Sequence, residues 1–264
     1  KWKNKTILID AWEQFNDDCP QFIQSTIGKY CQYQIKNCSW QGEHGWQKQL
    51  LAWGKEVYDI LMQESVYSEG TIAKCCVESI DDGGELFIGN SMPIRDVDMF
   101  TLTSSKIIDT YSNRGASGID GVISSALGMS HNSVNKNSLL LIGDVSFYHD
   151  MNGLLASRYE ANLTIVVINN SGGGIFSFLP IAESNVENFQ QYWTTDTGLS
   201  IEKVAGLYNS KYYLAENLQD LEKSIQESFK QKGVQIIEVK TTISDNIIAH
   251  NRLRDKIKAA LSDD

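Results

Sequence analysis

The chain reads as an α/β protein, a doubly wound and mainly parallel sheet with helices on both faces. Three observations predict this. From about residue 68 onward, helix-period and strand-like segments alternate at βαβ spacing. Two of the strands, 138–142 and 163–168, are unbroken apolar runs, as strands covered on both faces are. Four successive strands each end in a polar, small-residue segment, and in an open parallel sheet those ends share one edge.

The elements follow in order. An apolar run at 6–9 reads as a strand, a polar Cys- and Gln-rich stretch comes next, and "GWQKQLLAWGKEVYDIL" has apolar residues at helical spacing. This portion offers too few strands to bury a core, so a boundary is expected near residues 62 to 68, giving segments 1–64 and 65–264. Beyond it come helix "EGTIAKCCVESI", strand "ELFIGN", helix "RDVDMF", strand "KIIDTYS" and helix "GIDGVISSALGMS". Strand "SLLLIGD", helix "FYHDMNGLLASRYE" and strand "LTIVVINN" continue the alternation. Helix "SIEKVAGLYN", short strand "KYYLA", helix "NLQDLEKSIQESFKQK", strand "VQIIEVKT" and a helix near "NRLRDKIKAAL" complete it.

Composition narrows the function. A hydrophobic fraction of 42% places the chain among globular proteins. Its formal charge of -10, without a Lys/Arg cluster, argues against nucleic-acid or anionic-membrane partners. No apolar run reaches the roughly 18 residues of a membrane span. The five cysteines, an odd number without a C-x-x-C pair, suit a reducing compartment. The start "KWKNKTILID", lacking Met, suggests a fragment or a processed product.

The four polar strand ends carry the chemistry. "GNSMPIR" supplies the Ser91 hydroxyl and the Arg95 guanidinium, which grips carboxylates in bidentate fashion. "SNRGASGID" sets Arg114 beside small residues whose backbone N–H groups can approach an anion. "GDVS" places Asp144 where a helix begins, so the carboxylate is either an N-cap or a cation ligand. "NNSGGGIF" offers the amide oxygens of Asn169 and Asn170, then three glycines that let the backbone turn sharply and present a carbonyl. Apolar "IFSFLP" follows and can form a pocket wall.

Other chemistries lack their residues. Ser146, His149 and Asp150 crowd one helical turn without a G-x-S-x-G elbow. The four histidines, His44, His131, His149 and His250, have no metal-ligand spacing. Neither a dinucleotide G-x-G-x-x-G nor a P-loop is present.

A Gly-Asp pair followed some 25 residues later by Asn-Asn at a strand end matches the thiamine-diphosphate motif, with Val145 replacing the third residue of "GDG". Together with "GNSMPIRD", "SNRGASGIDG", "GDVSFYHDMNGL" and "NNSGGGIFSFLP", the chain resembles the SEPHCHC synthase family of menaquinone and phylloquinone biosynthesis. The likeness is strong over about residues 80 to 240 and matches that family's C-terminal diphosphate-binding domain, with 1–64 resembling the end of its central domain.

The resemblance implies thiamine diphosphate with Mg²⁺ (or Mn²⁺), the metal held by Asp144, Asn170 and the carbonyl of Gly172. It implies diphosphate and thiazolium contacts from Ser91, Ser117, Gly118, Ile119, Gly143, Asp144, Val145, Ser146, Asn170, Gly172 and Ile175. Substrate contacts would come from Arg95, Arg114, Ile175, Phe176 and Leu179. The implied reaction decarboxylates 2-oxoglutarate and adds the succinyl carbanion to isochorismate, so two dicarboxylates give the arginines a physical task. The family's activating glutamate belongs to a pyrimidine-binding domain that nothing in this sequence resembles. No catalytic residue is therefore expected here, little turnover is expected of the chain alone, and a pyrimidine-binding domain of the same or another chain is the expected partner in a homo-oligomer. A non-catalytic binding module derived from such an enzyme, or another thiamine-diphosphate 2-oxoacid decarboxylase or synthase, remains as an alternative. Abundant Asn, Lys and Ile suit an AT-rich genome, in a plastid or a bacterial cytoplasm.

Overall fold

The computed structural model describes residues 6–12, 19–39, 44–133, 135–184 and 187–262. The chain forms two compact units, 1–52 and 53–264. In the first, β1 (Ile7–Asp10) and β2 (Gln21–Gln24) pair in parallel, and α1 (Ile27–Asn37) starts where Thr26 accepts from the Lys29 N–H at 3.4 Å. Of these three, only β1 is visible as a pattern; β2 has just two apolar residues between glutamines. None of the described residues of this unit is buried, as expected for a two-stranded sheet, which has too little surface to enclose a core. The helix α2 (His44–Gln63) follows, and its last turns belong to the second unit.

The second unit starts with α3 (Glu69–Ser79), held by a reciprocal cap in which Ser68 accepts from the Thr71 N–H and Thr71 from the Ser68 N–H. Next come β3 (Glu85–Ile88), α4 (Met92–Phe100), β4 (Asp109–Tyr111), α5 (Val122–His131), β5 (Ser138–Gly143), α6 (Asp144–Asp150) and β6 (Leu163–Asn169). The remainder is α7 (Ile201–Leu207), β7 (Lys211–Ala215), α8 (Leu218–Ser228), β8 (Val234–Lys240) and α9 (Ile243–Ser262). The six strands stand in the order β4-β3-β5-β6-β8-β7, every pair parallel.

Alternation along the central strands divides the core. Leu140 and Ile142 join Ile165, Val167 and Ile236 under α5, α6 and α7. Leu139 and Leu141 join Val166, Ile168 and Ile237 under α3 and α8. All are at most 2% exposed, so both faces of the sheet are covered and the doubly wound expectation holds. The last turns of α2 pack through Val57, Ile60 and Leu61 beside Phe100 of α4 and Leu253 of α9. No described helix is long and apolar enough to cross a membrane.

Several boundaries differ from the sequence expectation, and three of them have a plain physical reading or a large shift. The helix expected over 147–160 begins at Asp144 and ends at Asp150, and 151–159 tightens into a 3₁₀ segment. The Asp150 carboxylate accepts from the N–H and hydroxyl of Ser124 on α5, and a β-carbon at Gly153 would lie 2.5 Å from the Ser124 oxygen. Close approach to α5, rather than helical periodicity, sets that geometry. The helix read from Arg95 begins at Met92, with Pro93 in its first turn, where a missing N–H costs nothing. The last helix starts at Ile243, eight residues before the apolar pattern that announced it.

Gly70 sits at the second position of α3 with the Phe100 ring against it, and a β-carbon there would come 2.3 Å from that ring. Replacing a helical glycine by alanine ordinarily gains about 1 kcal/mol, but overpacking a ring that is 1% exposed costs about 1–3 kcal/mol. We expect the clash to dominate, so that Gly70→Ala lowers the urea midpoint without changing the slope. A raised midpoint would show that Phe100 can move aside.

Candidate active site

At the carboxyl edge of the sheet lies a cavity of about 800 Å³. The register explains why residues far apart in sequence meet there. Gly143 of β5 pairs with Ile168 of β6, so one step further Asp144 stands beside the 169–174 loop. The Asp144 side chain then closes the gap, its Oδ2 accepting from the Gly172 N–H at 2.9 Å and its Oδ1 from the Val145 N–H at 2.8 Å.

That geometry answers the capping question. The N-cap position of α6 belongs to Gly143, and Asp144 is the first helical residue, with only 4% of its surface exposed. Its carboxylate satisfies one N–H of its own helix and one of the neighbouring loop. Burial pushes its pKa up to about 6; the N–H bonds from Val145 and Gly172 counter this, and the charge of Asp196 adds to it.

The 171–174 loop is shaped for close approach. Ser171 and Gly172 have φ of 62° and 142°. A β-carbon at 172 would lie 2.4 Å from the Thr194 carbonyl oxygen, which also accepts from the Gly173 N–H at 2.6 Å. The Phe176 ring meets Trp193 edge-on and Phe189 stacks on Trp193, so residues 189–194 pack as a brace under the loop. The sequence alone left that brace as an unassigned connection.

Beside Asp144, the Asn170 amide donates to Glu69 at 2.7 Å, while its Oδ1 is buried without a hydrogen-bond partner. The remaining edge is built by the β3 and β4 connections. Asn90 donates to the Gly118 carbonyl at 2.5 Å and Ser146 to the Ile119 carbonyl at 2.6 Å, tying the 117–119 turn to both strand ends. Ser91 adopts φ of 74° and its carbonyl accepts from Arg95 at 2.5 Å.

Of the residues singled out from sequence, Ser91, Arg95, Arg114, Ser117, Ile119, Gly143, Asp144, Val145, Ser146, Asn170, Gly172, Ile175 and Phe176 line the cavity. Three do not: Asn169 donates to Glu238, Gly118 contributes its carbonyl to Asn90, and Leu179 stands 44% exposed after the 3₁₀ turn that carries Ile175 and Phe176. Glu69 and Asn90 line the cavity without having been expected. Asn90 could have been suspected from "GNSMPIR"; Glu69 reads in sequence only as an acidic first turn of a helix.

The residues present fit a divalent cation and a diphosphate. Among the described residues no three His, Cys, Asp or Glu are grouped to hold a metal, so a cation here would rest on one carboxylate completed by neutral oxygens and phosphate. Asp144 supplies the carboxylate. A buried amide oxygen without a partner is costly to leave unmatched, and Asn170 Oδ1, which has no partner among the described residues, is open to an ion or ligand in the cavity. The Gly172 carbonyl accepts from the Gly174 N–H at 3.0 Å and keeps a second lone pair.

The raised pKa of Asp144 sets a sign. Its folded value, about 6, exceeds the ordinary 3.8, so between these pH values the metal-free native state holds more protons than the unfolded chain. Stability therefore falls as pH rises through that window and stays lowered above it, by up to about 3 kcal/mol. We expect Asp144→Asn, which keeps an oxygen for the Gly172 N–H, to be at least as stable as the parent in metal-free buffer at about pH 7.5. Its stability should also depend less steeply on pH, as read by urea denaturation. A loss above about 1 kcal/mol would mean that the charge itself holds the fold.

Similarity to known proteins agrees with this geometry. The family described as "Thiamine pyrophosphate enzyme, C-terminal TPP binding domain" matches residues 100–239. The chain is 44% identical over 221 residues to the 2-succinyl-5-enolpyruvyl-6-hydroxy-3-cyclohexene-1-carboxylate synthase of Listeria innocua, covering 82% of this chain and 38% of that protein. It is 36% identical over 265 residues to the synthase of the same name from Lysinibacillus sphaericus, covering 97% of this chain and 45% of that protein. The chain thus spans less than half the length of these relatives. Among solved structures, benzoylformate decarboxylase from Polynucleobacter necessarius superposes with a TM-score of 0.54 at 21% identity, over 66% of this chain and 33% of that one, a likeness of fold. With more than half of its residues inside the matched region, and with Asp144 and Asn170 at one cavity edge, the chain belongs to the thiamine pyrophosphate enzymes and carries their C-terminal TPP-binding domain.

Proposed function

We propose that this chain is the cofactor-diphosphate-binding part of a SEPHCHC synthase, which decarboxylates 2-oxoglutarate and joins the resulting four-carbon unit to isochorismate. The observation that carries the proposal is the pairing of the Asp144 carboxylate with the partnerless buried oxygen of Asn170 at one end of an 800 Å³ cavity. The shared name of relatives at 36% and 44% identity supports the choice of reaction.

In this reading residues 65–264 form the diphosphate-binding domain and 1–64 the end of a central domain. Asp144, Asn170 and the Gly172 carbonyl hold Mg²⁺, for which Mn²⁺ can substitute. Ser91, Ser117 and the N–H groups at the start of α6 meet the diphosphate. That assignment uses the 117–119 turn, which Asn90 and Ser146 already hold against both strand ends. Ile119, Ile175 and Phe176 form an apolar wall that excludes water from the reacting end of the cavity. Thiamine diphosphate, when bound, supplies the electron sink for decarboxylation.

Arg95 and Arg114 stand exposed at the cavity rim. With -10 formal charge on the chain, two guanidiniums at the mouth give dicarboxylates a local attraction that the protein as a whole does not offer. A pyrimidine-binding domain, from the same or another polypeptide in a homo-oligomer, completes the site. The bacterial origin of the named relatives favours a bacterial over a plastid setting.

Calorimetric titration of thiamine diphosphate tests the cofactor assignment, with the chain alone and mixed with a pyrimidine-binding domain. Binding is expected with Mg²⁺, and is expected to vanish with EDTA or in Asp144→Ala. Absence of Mg²⁺-dependent binding under both conditions would sink the proposal. For the substrate, Arg95→Ala and Arg114→Ala should each raise the KM for 2-oxoglutarate in the reconstituted enzyme by about tenfold or more, the scale of a charge-assisted hydrogen bond. Unchanged use of 2-oxoglutarate would instead favour a different 2-oxoacid.

A further inference from the structure

Glu69 is the first residue of α3, is 1% exposed, and faces the same cavity as Asp144 and Asn170. Burying a carboxylate is costly unless its oxygens receive good donors. Two donors converge on its Oε1, the Asn170 Nδ2 at 2.7 Å and the Thr241 hydroxyl at 3.2 Å. Glu69 therefore joins the start of α3 to the loop after β6 and to the end of β8.

The consequence for Asn170 is geometric. A side-chain amide has two seatings, related by a half-turn that exchanges its oxygen and nitrogen. An oxygen already receiving the Thr241 hydroxyl serves as an acceptor, and it pairs with the amide only through Nδ2. Seated this way, the amide turns Oδ1 away from Glu69, and that oxygen is the buried one without a partner. Gly174 makes room for the arrangement, since a β-carbon there would lie 2.9 Å from Nδ2. Asp96 and His250, 2.9 Å from one another, are buried as well, and their charges act on the Glu69 carboxyl in opposite directions.

We propose that Glu69 is a positioning residue that locks the Asn170 amide with its oxygen turned toward the divalent cation of the cofactor site. The inference rests on the cation and cofactor reading given above. Glu69 itself touches neither the cation nor the reacting atoms; it acts through Asn170.

An exchange of donor and acceptor separates this role from that of a mere structural tie. In Asn170→Asp, two carboxylates face each other at hydrogen-bond distance, and Mg²⁺-dependent thiamine diphosphate affinity should drop at least about tenfold. In the double variant Glu69→Gln with Asn170→Asp, the amide introduced on α3 donates to the new carboxylate across from it and leaves that carboxylate's other oxygen free for the cation. Affinity should then return to within about threefold of the parent, against a tenfold step that corresponds to about 1.4 kcal/mol. Both variants nearly preserve volume, so they keep the question answerable even if Glu69→Ala, expected to lose at least about tenfold in affinity, fails to fold.

The measurement is calorimetric titration of thiamine diphosphate at saturating Mg²⁺, with urea midpoints recorded for each variant. A double variant no tighter than Asn170→Asp, or a folded Glu69→Ala that binds like the parent, overturns the inference. If Asp144→Ala loses binding while the Glu69 variants keep it, the cofactor reading stands and only the role of Glu69 falls. If the parent chain itself shows no Mg²⁺-dependent binding, alone or with a pyrimidine-binding domain, both fall together.

Discussion

The hydrogen bond from the Gly172 N–H to Asp144 Oδ2 is the contact on which the site depends. It joins the ends of two adjacent parallel strands whose register already brings Gly143 opposite Ile168, and it does so with a carboxylate withdrawn from water. Desolvation raises the pKa of that carboxylate, and the backbone N–H groups of Val145, Gly172 and Ser171 oppose the rise. The result is an anionic oxygen pair held in place by the scaffold and short of positive charge. Such a group is poised for a cation rather than for stabilising the fold.

Everything around that contact limits where the 171–174 loop can go. The Thr194 carbonyl packs against Gly172 and accepts from Gly173, at distances that leave no space for a side chain. On the other flank Glu69 holds the Asn170 amide, and Glu69 in turn receives Thr241 from the end of β8. The loop is therefore braced from two sides by elements that belong to no binding motif. A second buried carboxylate, Glu238 on β8, receives Asn169 at 2.7 Å and Tyr212 at 2.5 Å, so the two consecutive asparagines are fixed by different acids. Asn169 is turned to the structure and Asn170 to the cavity.

Much of the fold was legible because a parallel sheet has a simple signature. Continuous apolar runs at β5 and β6 can only be covered on both faces, and the strand ends then share an edge for topological reasons. Asp144, Asn170, Arg95 and Arg114 were legible for the same reason: each lies within a few residues of such an end. Boundaries were less legible where tertiary contacts override periodicity. Helix α6 stops at Asp150 because Asp150 reaches Ser124 and Gly153 lets the chain approach α5. The short strand β2 was missed because only two of its four residues are apolar.

Residue order alone was enough to set the sheet, its polar edge and the residue types offered to a cation and a diphosphate. These follow from spacing along one chain, and spacing is local. It left open which residue caps α6, which way the Asn170 amide is turned, and what Glu69 touches. Those depend on contacts such as that between Glu69 and Asn170, 101 residues apart, and on Thr194 pressing on Gly172. The folded arrangement resolved them, because hydrogen-bond direction and burial are properties of neighbours that only folding brings together.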